Sequence, residues 1–203
     1  MSFRHRSFRL LSIVLFLLAT LPLPASAADT RFKVSLPAFR QQVTGRVFVI
    51  ISKVDNPEPR LQAGSWEKHA EFIARDADLG PGQSTTLDAL TLGFPLRSVR
   101  ELPAGDYYVQ AVFNVYTRFQ RADGHTVFAH MDQWEGQQFN KSPGNLFSQV
   151  RQFHLDPLAG YEIQLSLENV IPPIQMPPDT RYVKHIKIQS RLLTSFWGHP
   201  MYL

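Results

Sequence analysis

Leu102-Pro103-Ala104-Gly105-Asp106-Tyr107-Tyr108-Val109-Gln110-Ala111-Val112-Phe113-Asn114-Val115-Tyr116-Thr117-Arg118-Phe119 is the stretch that decides the fold. Tyr107, Val109, Ala111, Phe113 and Val115 alternate with their neighbours, and side chains two residues apart share one face of an extended chain. Five apolar positions in that register predict a core strand running to Phe119. The other face carries Tyr108, Gln110, Asn114, Tyr116 and Arg118, a mixed aromatic and polar surface.

Upstream, Val43 to Val54 places Val43, Gly45, Val47, Val49 and Ile51 on one face and Phe48 and Ile50 on the other. A strand apolar on both faces belongs inside a layered fold. Asn56-Pro57-Glu58-Pro59 ends it, because proline cannot donate to a ladder. Phe32 to Leu36 reads as an earlier strand and Glu71 to Arg75 as a short one. Gly80-Pro81-Gly82-Gln83 is a strong turn, and Thr85 to Leu92 reads either as a strand or as one helical turn.

Downstream, Arg121-Ala122-Asp123-Gly124-His125 predicts a hairpin turn returning through Thr126 to Ala129. Ser148 to Leu155 and Tyr161 to Leu167 follow as strands, the second with Tyr161, Ile163, Leu165 and Leu167 alternating with polar residues. A last strand is expected at Tyr182 to Gln189. No sustained helical period and no internal repeat occur after residue 27. The approach Leu102-x-x-Gly105-x-Tyr107 is how many immunoglobulin-like sandwiches turn a corner, with the tyrosine hydroxyl bonded back to the loop. An all-β, immunoglobulin-like β-sandwich is the expected fold class.

The ends of the chain differ from this middle. Arg4, Arg6 and Arg9 precede the apolar run Leu10 to Leu23, and Ala25-Ser26-Ala27 supplies small residues for a signal peptidase. Residues 1–27 therefore read as a Sec-type signal peptide cleaved after Ala27, and the product as secreted or periplasmic. The run would cover about 21 Å of a roughly 30 Å hydrocarbon core, so no stable membrane span is expected after cleavage. Residues 28–170 form the expected sandwich domain. Residues 171–180, with Pro172, Pro173, Pro177 and Pro178, read as an extended connector, and 181–203 as a last strand leading into a further domain.

Of 21 Lys and Arg, three leave with the leader, so the mature balance is 18 against 17 acids. No basic stripe with interleaved aromatics remains, which argues against a nucleic-acid partner. The 203-residue chain has no cysteine. That excludes disulfides and zinc–thiolate sites, and its stability must come from the core.

The search for chemistry finds no Gly-x-Ser-x-Gly elbow, and no catalytic residue is assigned. Ser65-Trp66-Glu67-Lys68 matches Ser-x-x-Lys without the motifs that accompany it in penicillin-recognising enzymes, and reads as chance. His125, His130, Asp132 and Glu135 are close in sequence, but their spacing does not define a metal site, and neither metal nor cofactor is expected. Asp132 and Glu135, three residues apart in an irregular segment, fix no separation across a sugar ring. Trp66, Trp134, Tyr108, Tyr116 and Phe139 could form an aromatic platform for a sugar. Packing in the core is the competing role for such rings. The long segment His130 to Leu146 is the expected interface or ligand loop, with His125, His130, Asp132, Trp134, Glu135, Asn140 and Asn145 as its candidate residues.

Several segments together resemble the N-terminal region of exported bacterial esterases of the enterochelin-esterase-like, α/β-hydrolase family. They include Arg46-Val47-Phe48-Val49-Ile50-Ile51-Ser52, Pro57-Glu58-Pro59-Arg60-Leu61-Gln62, Leu102 to Ala111, Asn114-Val115-Tyr116 and Arg121 to His125. Asp132-Gln133-Trp134-Glu135-Gly136-Gln137, Ser142-Pro143-Gly144-Asn145-Leu146, Val183-Lys184 to Trp197-Gly198 and Pro200 to Leu203 continue the resemblance over nearly the whole mature chain. It implies a β-sandwich that precedes a hydrolase domain whose sheet begins near Pro200 to Leu203. The positions of that family's serine, acid and histidine have no counterpart in this sequence. Two functions follow as expectations. The first is a non-catalytic N-terminal module of a secreted or periplasmic esterase, present as a fragment and partnered by a C-terminal or separately encoded α/β-hydrolase. The second is a free-standing module that binds a carbohydrate or peptide.

Overall fold

The computed structural model describes residues 30–64, 70–131 and 138–203. The leader, the Ser65 to Lys68 motif and the segment Asp132 to Gln137 lie outside the described residues. Among the described residues the chain is mostly β, with several antiparallel sheets and two short α-helices.

The alternating stretch from Tyr107 does become the central strand. To give the strands in chain order, they are β1 (Arg31–Ser35), β2 (Val43–Ser52), β3 (Glu71–Leu79), β4 (Ser84–Leu87), β5 (Gly93–Phe94) and β6 (Gly105–Val115). Then come β7 (Thr117–Gln120), β8 (Thr126–Ala129), β9 (Leu146–Phe147), β10 (Arg151–Leu155), β11 (Glu162–Ser166) and β12 (Asn169–Val170). Helix α1 is Pro59–Gln62 and α2 is Arg191–Trp197.

One sheet runs β12-β9-β6-β2-β3-β5, with β10 also on β6; a second runs β11-β1-β4. Strand β1 is antiparallel to β4 but parallel to β11, pairing Phe32 with Ile163 and Val34 with Leu165. The two sheets share one core. Phe32 and Val34 from β1, Leu87 from β4 and Leu165 from β11 meet Val47, Val49, Ile73, Val109 and Phe113 of the larger sheet. The alternation in β2 and β6 thus points the residues expected inside toward the opposite sheet.

The second apolar face of β2 is covered as well. Ile50 packs with Val112, Ala63 and Ala70, and Phe48 stacks on Phe139 with ring centroids 4.0 Å apart. A polar clasp holds this cover in place. The Gln110 side chain accepts from the Arg60 backbone N–H (2.9 Å) and donates to Glu58 Oε2 (2.7 Å), while Arg60 pairs with Glu58. The polar face of the central strand therefore lies under α1, and Gln110 is buried.

Three expectations are corrected. The strand expected to reach Phe119 ends at Val115, and β7 pairs with β8 as a separate hairpin. Strand β2 begins at Val43, so beyond the bond from Tyr116 N–H to Thr44 O (2.8 Å) the chain has no ladder partner there and pairs locally instead. Ser148 to Leu155 is not one strand either. Phe147 pairs with Val112 and Arg151 with Val109, so one extra residue bulges out. Ser148 Oγ closes the gap by accepting from the Ala111 N–H at 2.9 Å. Finally, Tyr182 to Gln189 forms no strand beyond a bridge from Gln189 to Tyr202. Its Ile186 and Ile188 are exposed and find no sheet edge.

The corner is built as the tyrosine spacing predicts. Tyr107 is buried, stacks against Phe153, and its hydroxyl donates to Pro103 O at 2.7 Å. Tyr107→Phe is expected to lower stability by about 1 kcal/mol, the usual net worth of one such bond. Urea unfolding of the two proteins checks this, and equal midpoints would show that the bond holds nothing.

Candidate functional site

The loop singled out in the sequence divides into two parts. Asn140 and Asn145 lie in the interior, with amides committed to the fold. Asn140 Nδ2 donates to Arg60 O (2.9 Å) and Ala63 O (3.2 Å), tying the loop to α1. Asn145 Oδ1 accepts from the Val115 N–H (2.8 Å), and its Nδ2 donates to Asn114 Oδ1 and Phe139 O. Both asparagines are thus anchors of the cover. Asp132, Trp134 and Glu135 lie outside the described residues.

The two histidines sit at opposite ends of β8. His125 is exposed in the turn beside Asp123. Gly124 takes φ 87° there, which only glycine adopts without strain. His130, half-buried, donates from Nδ1 to Val115 O at 3.0 Å. A carbonyl can only accept, so this nitrogen carries the proton. The two rings do not converge on one point. Among the described residues no group of three or more His, Asp or Glu side chains is placed to hold a metal ion.

His130 opens instead onto a cleft of about 840 Å³ between the β7–β8 hairpin and the C-terminal segment. The hairpin contributes Phe119, Val127 and Ala129, and the segment contributes Met176, Trp197 and Met201, among others. The basic side chains His130, His185, Lys187 and His199 also line it.

Helix α2 fixes one wall. Ser190 caps it by accepting from the Leu193 N–H, and Gly198 ends it at φ 64° with its N–H on Thr194 O. Gly198 sits hard against β7, where a Cβ would come within 2.5 Å of Gln120 O. Ala122 N–H donates to Phe196 O at 2.7 Å, and Phe119 packs edge-on to Trp197. Backbone bonds between Ile188 and Leu203 and from Ser190 to Met201 close the segment on itself.

At the rim, His185 donates its backbone N–H to Asp179 Oδ1 (3.0 Å), with its ring Nδ1 3.1 Å away. That backbone bond, then the ring and Lys184, hold the exposed Asp179 carboxyl below the usual range. Lys187 Nζ lies 4.2 Å from the Tyr202 ring centroid. His199 Nδ1 is buried with no hydrogen-bond partner among the described residues.

Sequence reading missed this cleft. The available signal was Ser190 and Gly198 framing Leu192, Leu193, Phe196 and Trp197, which marks a short capped helix. What the fold and the site define is a β-rich chain with an apolar cleft rimmed by bases. No family model, curated protein or solved structure matches the chain.

Proposed function

We propose that this chain is an exported, non-catalytic module with an immunoglobulin-like β-sandwich, which packs on an esterase-like α/β-hydrolase domain or separately encoded hydrolase. The observation that carries the reading is the C-terminal segment. Ile186, Ile188, Leu192 and Leu203 are 69%, 59%, 85% and 68% exposed on it. Exposed apolar side chains gathered in one segment point to an interaction face, and they belong to the residues where the resemblance places the junction with a hydrolase. The buried serines give the reading indirect support. Ser142 and Ser148 have their hydroxyls committed to backbone partners, so neither is poised as a nucleophile.

The rival reading as a carbohydrate-binding module has less behind it. No Asn, Gln, Asp or Glu lines the cleft among the described residues, whereas sugar hydroxyls need such paired donors and acceptors.

The test starts from the DNA beyond codon 203 and beside the gene. An α/β-hydrolase coding region with Gly-x-Ser-x-Gly is expected there. Its product should co-purify with this chain, and Ile188→Glu with Leu192→Glu should weaken that association about tenfold or more. Absence of such a region, or a hydrolase that does not associate, overturns the proposal. Turnover of a chromogenic ester by the purified chain alone would overturn its non-catalytic character.

A further inference from the structure

We propose that the cleft between the β7–β8 hairpin and the C-terminal segment is a binding site for a long-chain fatty acid. This goes beyond the accessory-module reading and does not depend on it. A volume of about 840 Å³ lies within the range of sites that enclose small ligands. Its body is apolar, and Met131, Met176 and Met201 contribute unbranched, adaptable side chains that conform to a flexible chain better than to a rigid ring.

The polar groups choose the head. His130, His185, His199 and Lys187 are bases, and among the described residues no carboxylate lines the cleft. His185 is drawn toward Asp179 at the rim and His130 Nδ1 is bonded to Val115 O, which leaves Lys187 as the group best placed to meet an anion. Lys187 makes no ion pair among the described residues. His199 adds a second polar ring to the same lining. One anionic head on one long apolar tail satisfies both halves of the lining. A sugar would set most of its hydroxyls against an apolar lining, and a neutral lipid would leave Lys187 without a counter-charge.

The experiment uses the purified protein alone, so its outcome is separate from whether a hydrolase partner exists. Fluorescent cis-parinarate is titrated in, then displaced with palmitate or with 1-hexadecanol, which has the same chain length and no charge. Saturable binding at one site is expected, with palmitate about tenfold or more stronger than the alcohol, as fits one charge-assisted contact. Lys187 is on the surface, so Lys187→Glu should keep the circular dichroism spectrum and weaken palmitate by a similar factor. Val127→Trp, which fills the cleft from the hairpin side, should reduce both ligands together. No saturable binding overturns the site. Equal affinity for acid and alcohol, or an unchanged palmitate affinity in Lys187→Glu, overturns the fatty-acid assignment.

Discussion

Gly45→Val is expected to destabilise the protein by about 3 kcal/mol or more, the upper range for forcing volume into a packed core. Gly45 is buried in β2, paired to Ala77 of β3 on one side and Val115 of β6 on the other. A Cβ there would lie 2.0 Å from Asn114 O and 2.8 Å from Phe113 Cε1. The first obstacle is backbone, so relief requires moving β6 away from β2 at the point where their ladder begins. The second is a ring with no exposed surface, held by the core between the sheets. Thermal unfolding should fall by about 6–12 °C for a chain of this size. Gly45→Ala tests the same contact with the smallest added group and should give a smaller loss in the same direction. A midpoint unchanged by alanine would mean that β2 and β6 stand further apart than this.

The face of Gly45 was legible in the sequence, and its reason was not. Alternation places it with Val43, Val47, Val49 and Ile51 toward the core, which is where it lies. What makes it glycine is the approach of Asn114, about 70 residues along the chain, and no local pattern encodes that distance. The same division runs through the fold. Strands β2, β6 and β11, the Asp123-Gly124 hairpin and the Tyr107 corner are local features set by alternation and turn chemistry, and they were readable. The parallel pairing of β1 with β11 joins segments some 130 residues apart and could not be read.

The candidate site was less legible than the fold. Its two walls come from Phe119 to Met131 and from Ile174 to Tyr202, and neither is a cleft by itself. Of the expected ligand residues that are described, only His130 lines it. Helix α2, at seven residues, is too short to show a helical period, so Trp197 and His199 carried no signal beyond the capping residues around them. Asn140 and Asn145 drew attention because an amide-rich loop of that length is commonly functional. An amide carries both donor and acceptor, however, and is equally suited to replace missing backbone partners inside a fold.

Asn145→Ala separates those two uses of the amide. Strand β9 begins only at Leu146, so Val115, at the end of β6, has no backbone acceptor from β9. Asn145 Oδ1 takes that N–H at 2.8 Å, extending the ladder by one side chain, while Nδ2 satisfies Asn114 Oδ1 and Phe139 O. Alanine removes all three bonds made by a side chain with no exposure, and takes these partners from the half-buried Val115 N–H, Asn114 Oδ1 and Phe139 O. Each buried polar group so stranded costs about 1–3 kcal/mol, which sets the expected loss at about 3–4 kcal/mol after partial relaxation. Asn145→Asp keeps the acceptor for Val115 but places a carboxylate against Asn114 Oδ1 and Phe139 O, so it should not rescue stability. Because Asn114 also meets any Cβ at position 45, the Gly45→Ala and Asn145→Ala losses should fail to add when combined, by about 0.5 kcal/mol or more. Denaturant unfolding of the two single variants and the double variant measures all of this. An asparagine that served only to bind a ligand would leave the unfolding midpoint where it was.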